Sequence, residues 1–124
     1  MPGRSPTGGS TGAPHALLGL LGLAARARAL VHGTDAARGA AREGKLAGVL
    51  VAADASPTQT RKLVPLLQAR GIPFAVCLTR DRLGAAIGRG AVTAVGITQA
   101  SFAREALRLA GALTREQDPG GELH

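Results

Sequence analysis

The chain has 124 residues, enough for one domain with a buried core, and carries 15 Lys and Arg against 8 Asp and Glu, a formal charge of +7. That balance favours a polyanionic partner over an acidic small substrate. A single cysteine excludes an intrachain disulfide or a Cys-rich zinc site and points to a reducing cytoplasm, and no apolar run approaches the roughly 20 residues that span a bilayer.

Residues 1–14 combine Pro, Gly, Ser and Thr around one arginine and lack the apolar core of a secretory signal. They read as a disordered arm, too poor in apolar side chains to offset the entropy of ordering it. From 15 to 27, Leu17, Leu20, Leu21 and Ala24 recur at helical spacing, with Leu18 and Leu23 widening the apolar face. Gly19 and Gly22 weaken that helix but allow close packing against a neighbour. Leu30 and Val31 form a short strand at best, ended by Gly33.

A second helix is expected from Thr34 to Glu43, with Thr34 as its N-cap and Gly44 as a left-handed C-cap. Gly39 inside it lowers helix stability by about 1 kcal/mol relative to Ala, which predicts a close contact there. Residues 49–53 form a short apolar strand. The run Ser56-Pro57-Thr58-Gln59 is the clearest helix start in the chain: an N-capping hydroxyl, proline at the first helical position and a capping-box partner. That third helix buries Leu63, Leu66 and Leu67, passes through Pro65 and stops at Gly71. Residues 73–78 are a strand, Thr79 caps a fourth helix ending near Gly88, and 92–97 are the last strand. A fifth helix begins at Thr98 or Ser101 and reaches Leu113, leaving 114–124 as a flexible tail. Short strands alternating with helices predict a single α/β domain, a three-layer α/β/α sandwich spanning 15–113.

Few side chains offer chemistry. Asp54 ends a strand facing a loop, where an α/β enzyme keeps a nucleophile or metal ligand, but no partner is visible and a turn carboxylate is the plainer reading. Cys77 lies between Val76 and Leu78, which favours burial over reactivity. His15, His32 and His124 are too dispersed for a metal site, and neither a phosphate loop nor a Ser/His/Asp triad is present. No catalytic residue, cofactor or metal is expected.

The informative corner is Gly33 with the helix that follows it. A helix N-terminus presents unpaired amides and about half a positive charge, suited to phosphate. His32, Arg38, Arg42 and Lys45 lie close in sequence, and Arg26 and Arg28 extend the basic stripe. With Phe74 and Phe102 as the only aromatics, a base-stacking sheet of RRM or OB type is disfavoured, so nucleic acid would be met by backbone, charge and small apolar contacts.

Lined up, these pieces resemble the ribosomal L-seven-Ae family of kink-turn RNA-binding proteins, and within it the bacterial YlxQ branch. The matching residues are Leu20-Leu21-Gly22-Leu23-Ala24 with Arg26, Leu30-Val31 and Gly33, Val51-Ala52-Ala53-Asp54-Ala55-Ser56-Pro57, Gly71-Ile72-Pro73, and Leu83-Gly84-Ala85-Ala86-Ile87-Gly88, within residues 17–109. The resemblance implies a mixed four-stranded sheet and a non-catalytic cytoplasmic protein whose partner is structured RNA, of ribosomal type, with neither DNA nor membrane. It also implies an RNA surface made by Gly33, Thr34 and Asp35 and by a loop before the last strand at Ile87, Gly88, Arg89, Gly90 and Ala91; by charge and sequence proximity, Arg38 and Arg42 are expected to contact phosphates beside it. Asp35 stands where the family has Asn, Ala36 where it has Glu, and Gly39 where it usually has Lys. Ala36 offers no hydrogen bond to the sheared guanines that the family's Glu reads. A protein-interaction module with a degenerate RNA face is the alternative reading.

Overall fold

A computed structural model describes residues 9–117. In chain order the elements are α1 (Gly9–Arg26), β1 (Leu30–His32), α2 (Thr34–Arg42), β2 (Gly48–Val51), α3 (Pro57–Ala69), β3 (Phe74–Val76), α4 (Arg80–Ala86), β4 (Ala94–Ile97) and α5 (Ala100–Gln117). Helix α1 begins at Gly9, inside the stretch expected to be an unstructured arm, and α5 runs past the expected end at Leu113. The remainder of the expected arm and tail, 1–8 and 118–124, lies outside the described residues.

The sheet order is β1-β4-β2-β3. β4 pairs antiparallel with both neighbours, placing His32 opposite Val95 and Val51 opposite Ala94, while β2 and β3 pair in parallel. β1 and β2 therefore run in the same direction. Their carboxyl ends, the start of β4 and the openings of α2 and α3 all meet at one edge of the sheet.

Alternation along β2 explains the layers. Val49 and Val51 pack with Ala37 and Ala41 of α2 and Leu63 and Leu67 of α3, whereas Leu50 and Ala52 pack with Leu17 and Leu21 of α1 and with Ala103, Ala106 and Ala110 of α5. Both faces are covered, so the strand is buried throughout. Helix α1 comes close to the end of α4 at Gly22, where a Cβ would sit 3.3 Å from the Ala86 carbonyl; Gly19 has no such neighbour. Nor does Gly39, so the close contact expected there is absent and its helix-weakening effect is uncompensated by packing.

Helix ends follow local chemistry. Ser56 caps α3 by accepting from the Gln59 amide at 3.2 Å, with Pro57 leading the helix as expected. The carboxylate of Asp54 accepts from the Arg80 amide at 2.8 Å, and the Thr79 hydroxyl accepts from the Arg82 amide at 3.2 Å. Asp54 also lies 3.5 Å from the Arg80 guanidinium. It is thus a structural carboxylate holding the opening of α4, across the sheet edge from the helix its sequence position suggested.

Gly84 lets the chain after α4 fold back over it: a Cβ at this position would lie 1.7 Å from the Gly90 carbonyl oxygen. Replacing Gly84 with Ala has to displace that backbone, and we expect a loss of about 1–3 kcal/mol, read as a lower urea midpoint. Cys77 is 2% exposed, and desolvation pushes its thiol up to about 11. Folding therefore favours the protonated thiol. Its contribution is complete below an unfolded-state pKa of about 8.5 and disappears as pH rises towards the folded value. Urea midpoints from pH 8 to pH 11 should fall more steeply for the native chain than for Cys77→Ala.

Candidate nucleic-acid interface

The sheet topology brings the start of α2 against the start of α3 and the segment before β4. Between them lies a cleft of ≈390 Å³, whose lining includes Gly33, Thr34 and Asp35 together with Gln59, Lys62 and Thr93. His32, Ala36, Ala91 and Val92 complete it.

The cap at this site differs from the expected one. Gly33, not Thr34, is the N-cap: its φ is 93°, and its carbonyl accepts the first helical bond from the Ala37 amide at 3.0 Å. A left-handed φ suits glycine because a Cβ would crowd the backbone there. Thr34 is consequently the first helical residue, and its side chain is turned inward and 7% exposed. The Thr34 hydroxyl is buried without a hydrogen-bond partner among the described residues. The amides of Thr34, Asp35 and Ala36, which like those of any first turn have no intrahelical partner, receive no side-chain cap either, in contrast to the openings of α3 and α4. Asp35 and Ala36 are exposed. The end of α2 thus offers donors and a partial positive charge to a group from outside.

Of the arginines expected nearby, none lines the cleft. Arg38 lies one turn along α2, half-buried, with its Nε sealed from solvent and unpartnered among the described residues. Arg42 stands eight residues beyond Thr34, about 12 Å along the axis, and its carbonyl accepts from the Arg70 guanidinium at 3.1 Å. Lys45 pairs with Glu43 at 3.0 Å in an exposed ion pair. Sequence proximity does not put these side chains in the cleft lining, because a helix carries its later residues away from its opening.

The loop before β4 is also divided. Ala91, Val92 and Thr93 line the cleft, whereas Ile87 and Arg89 line a separate depression that shares His32 with it. Gly88 takes the left-handed end of α4, with φ 76°, and Gly90 packs over Gly84. Neither lines the cleft.

Gln59 and Lys62 were missed by the sequence reading. Their signal was their i, i+3 spacing in the first turns of α3, which places both on one face. Gln59 was instead assigned to a capping box; only the Ser56 half of that box forms. Cationic Lys62 gives the cleft the charge that Arg38 and Arg42 do not deliver. Asp35, the one carboxylate in the lining, supplies an acceptor. No group of three or more His, Cys, Asp or Glu able to hold a metal occurs among the described residues, and no described helix is long and apolar enough to cross a membrane.

The orphaned hydroxyl gives a direct test of strain at the site. Thr34→Val keeps the shape and removes the unpaired group, so the free protein should gain about 1 kcal/mol, measured by chemical denaturation.

The family model described as ribosomal protein L7Ae/L30e/S12e/Gadd45 matches residues 15–107. The RNA-binding protein YlxQ of Bacillus subtilis (strain 168) is 33% identical over 90 residues, covering 73% of this chain and 90% of that protein. A solved protein of unknown function from Bacillus halodurans C superposes with a TM-score of 0.74 at 35% identity, over 77% of this chain and 96% of that one. The Giardia lamblia 15.5kD RNA binding protein superposes with a TM-score of 0.67 at 22% identity, over 83% and 88% of the two chains, a likeness of fold alone.

Proposed function

The chain belongs to the ribosomal protein L7Ae/L30e/S12e/Gadd45 family, and from that premise we propose that it is a non-catalytic RNA-binding protein that docks structured RNA in the cleft at the opening of α2. The observation that carries this reading is the buried, unpartnered Thr34 hydroxyl beside three uncapped amides in one cleft. The first-turn amides are open to an acceptor from outside, and the buried hydroxyl is an unsatisfied polar group at the same opening.

RNA matches the rest of the lining. Phosphate oxygens accept from the amides and from Lys62, and the Asp35 carboxylate accepts from a base amino or imino group. Asp35 replaces an amide that can both donate and accept, so it selects for donors alone. Ala36 adds no polar group, which shifts the weight of recognition from base edges to backbone shape. Among the described residues no hydrogen bond or ion pair joins His32, Thr34, Asp35 and Lys62 of this lining, and Asp54 is committed to α4. The proposed partner is ribosomal RNA in the cytoplasm, and co-sedimentation with ribosomal particles that is lost after nuclease treatment checks that point.

Anisotropy titrations with a synthetic kink-turn RNA and a plain duplex of equal length test the docking itself. The kink-turn RNA should bind more tightly at equal salt. Lys62→Met should weaken binding of both RNAs and lower the slope of log affinity against log salt by about 1, while Asp35→Ala, at an exposed acceptor in the cleft lining, should weaken the kink-turn RNA more than the duplex. Equal affinity for the two RNAs would refute specific docking; binding partners retained after nuclease treatment would favour a protein-interaction module.

A further inference from the structure

The segment that forms one wall of the cleft rests on α4. Gly90 packs over Gly84, the Arg89 amide donates to the Gly84 carbonyl at 2.8 Å, and the Val92 amide donates to the Arg80 carbonyl at 3.1 Å. Val92 lines the cleft, as do Ala91 before it and Thr93 after it. Where α4 sits therefore decides where this wall stands.

Two contacts hold the opening of α4 to the chain that follows β2. Leu78 has φ 62°, a conformation disfavoured for an L side chain, and it is buried in the core. Its carbonyl accepts from the Ala53 amide at 2.8 Å, and the next residue is the Thr79 cap. Beside that bond the Asp54 carboxylate accepts from the Arg80 amide at 2.8 Å. Arg80 is thus a junction: its amide is held by Asp54, and its carbonyl holds Val92. The Ala52 amide donates to the Thr93 carbonyl at 2.8 Å. Residues 52–54 therefore fix the wall directly at Thr93 and, through the Arg80 peptide, at Val92.

Asp54 does not line the cleft, and its charge is of the wrong sign for a phosphate. Its ion pair with the Arg80 guanidinium, at 3.5 Å, is exposed on both sides and adds little. The hydrogen bond from the Arg80 amide to an ionised acceptor is the stronger tie.

We propose that Asp54 is a positioning residue for RNA recognition. Through the Arg80 peptide it sets the Val92–Thr93 wall of the cleft, and with it the shape that separates a bent RNA from a straight one. The proposal rests on the RNA-binding reading, and two measurements separate the two.

Asp54→Ala removes the acceptor; Asp54→Asn removes the charge and keeps an acceptor oxygen. In the free protein, amide hydrogen exchange followed by NMR should show the Val92 amide exchanging about fivefold faster in Asp54→Ala and close to the native rate in Asp54→Asn. The Leu63 amide of α3 should be unchanged in both. Anisotropy titrations then use the synthetic kink-turn RNA and the plain duplex. By charge alone, losing a carboxylate tightens the binding of any polyanion. The positioning role predicts the opposite sign: Asp54→Ala should bind the kink-turn RNA about five- to tenfold more weakly, the size of one lost hydrogen bond. Its duplex affinity should not fall, its salt slope should stay native because no phosphate contact is lost, and Asp54→Asn should keep the native preference.

An unchanged Val92 exchange rate in Asp54→Ala refutes the relay and leaves the cleft reading untouched. Native kink-turn affinity in Asp54→Ala, or an equal loss for both RNAs, refutes the positioning role. If the native chain does not distinguish the two RNAs, the cleft reading fails and the positioning role with it, whatever the exchange rates show.

Discussion

β4 lies between β1 and β2 and pairs antiparallel with each, so those two strands must run parallel although a helix and a turn separate them in the chain. From that constraint the geometry of the candidate interface follows. Parallel strands deliver their following helices to the same edge, and the antiparallel strand between them begins at that edge. The openings of α2 and α3 and residues 91–93 are thereby brought around one cleft. The pairing requires close approach: a Cβ on Gly96 would lie 2.8 Å from the Leu46 side chain and 3.1 Å from that of Val31.

The helix openings differ in how their amides are satisfied. At α3 and α4 the chain satisfies its own amides with Ser56, Thr79 and Asp54. At α2 it does not, and the one hydroxyl in position to help is turned inward on the first helical residue. Leaving these groups free lowers stability, an expense that the well-filled layers on both sides of the sheet can offset. At the end of α1 an arginine, Arg28, occupies the left-handed conformation that the ends of α2, α3 and α4 give to glycine.

Small side chains shape the rest. Ala37, Ala41, Ala103, Ala106 and Ala110 let helices approach the sheet closely, and with two phenylalanines in the whole chain the surface has little to stack on a base. The proposed docking of RNA therefore relies on backbone amides, a lysine and small apolar walls. Such a surface follows the course of a folded polyanion better than it reads an extended strand.

Local patterns in the sequence determined the elements and most of their ends. The helical spacing of Leu17, Leu21 and Ala24, the Ser56-Pro57 start, the Thr79 cap and the stops at Gly44, Gly71 and Gly88 each involve residues within one or two turns, so their physics is complete in a short window. The likeness of the chain's motifs to those of a known family supplied the mixed sheet, which periodicity does not encode. Tertiary structure alone decided which groups meet. It committed Asp54 to α4 and brought Lys62 of α3 into the cleft beside the opening of α2. The reason is strand order: the partners of β4 are chosen by burial over the whole sheet, and a residue's neighbours across that sheet lie tens of positions away in the chain.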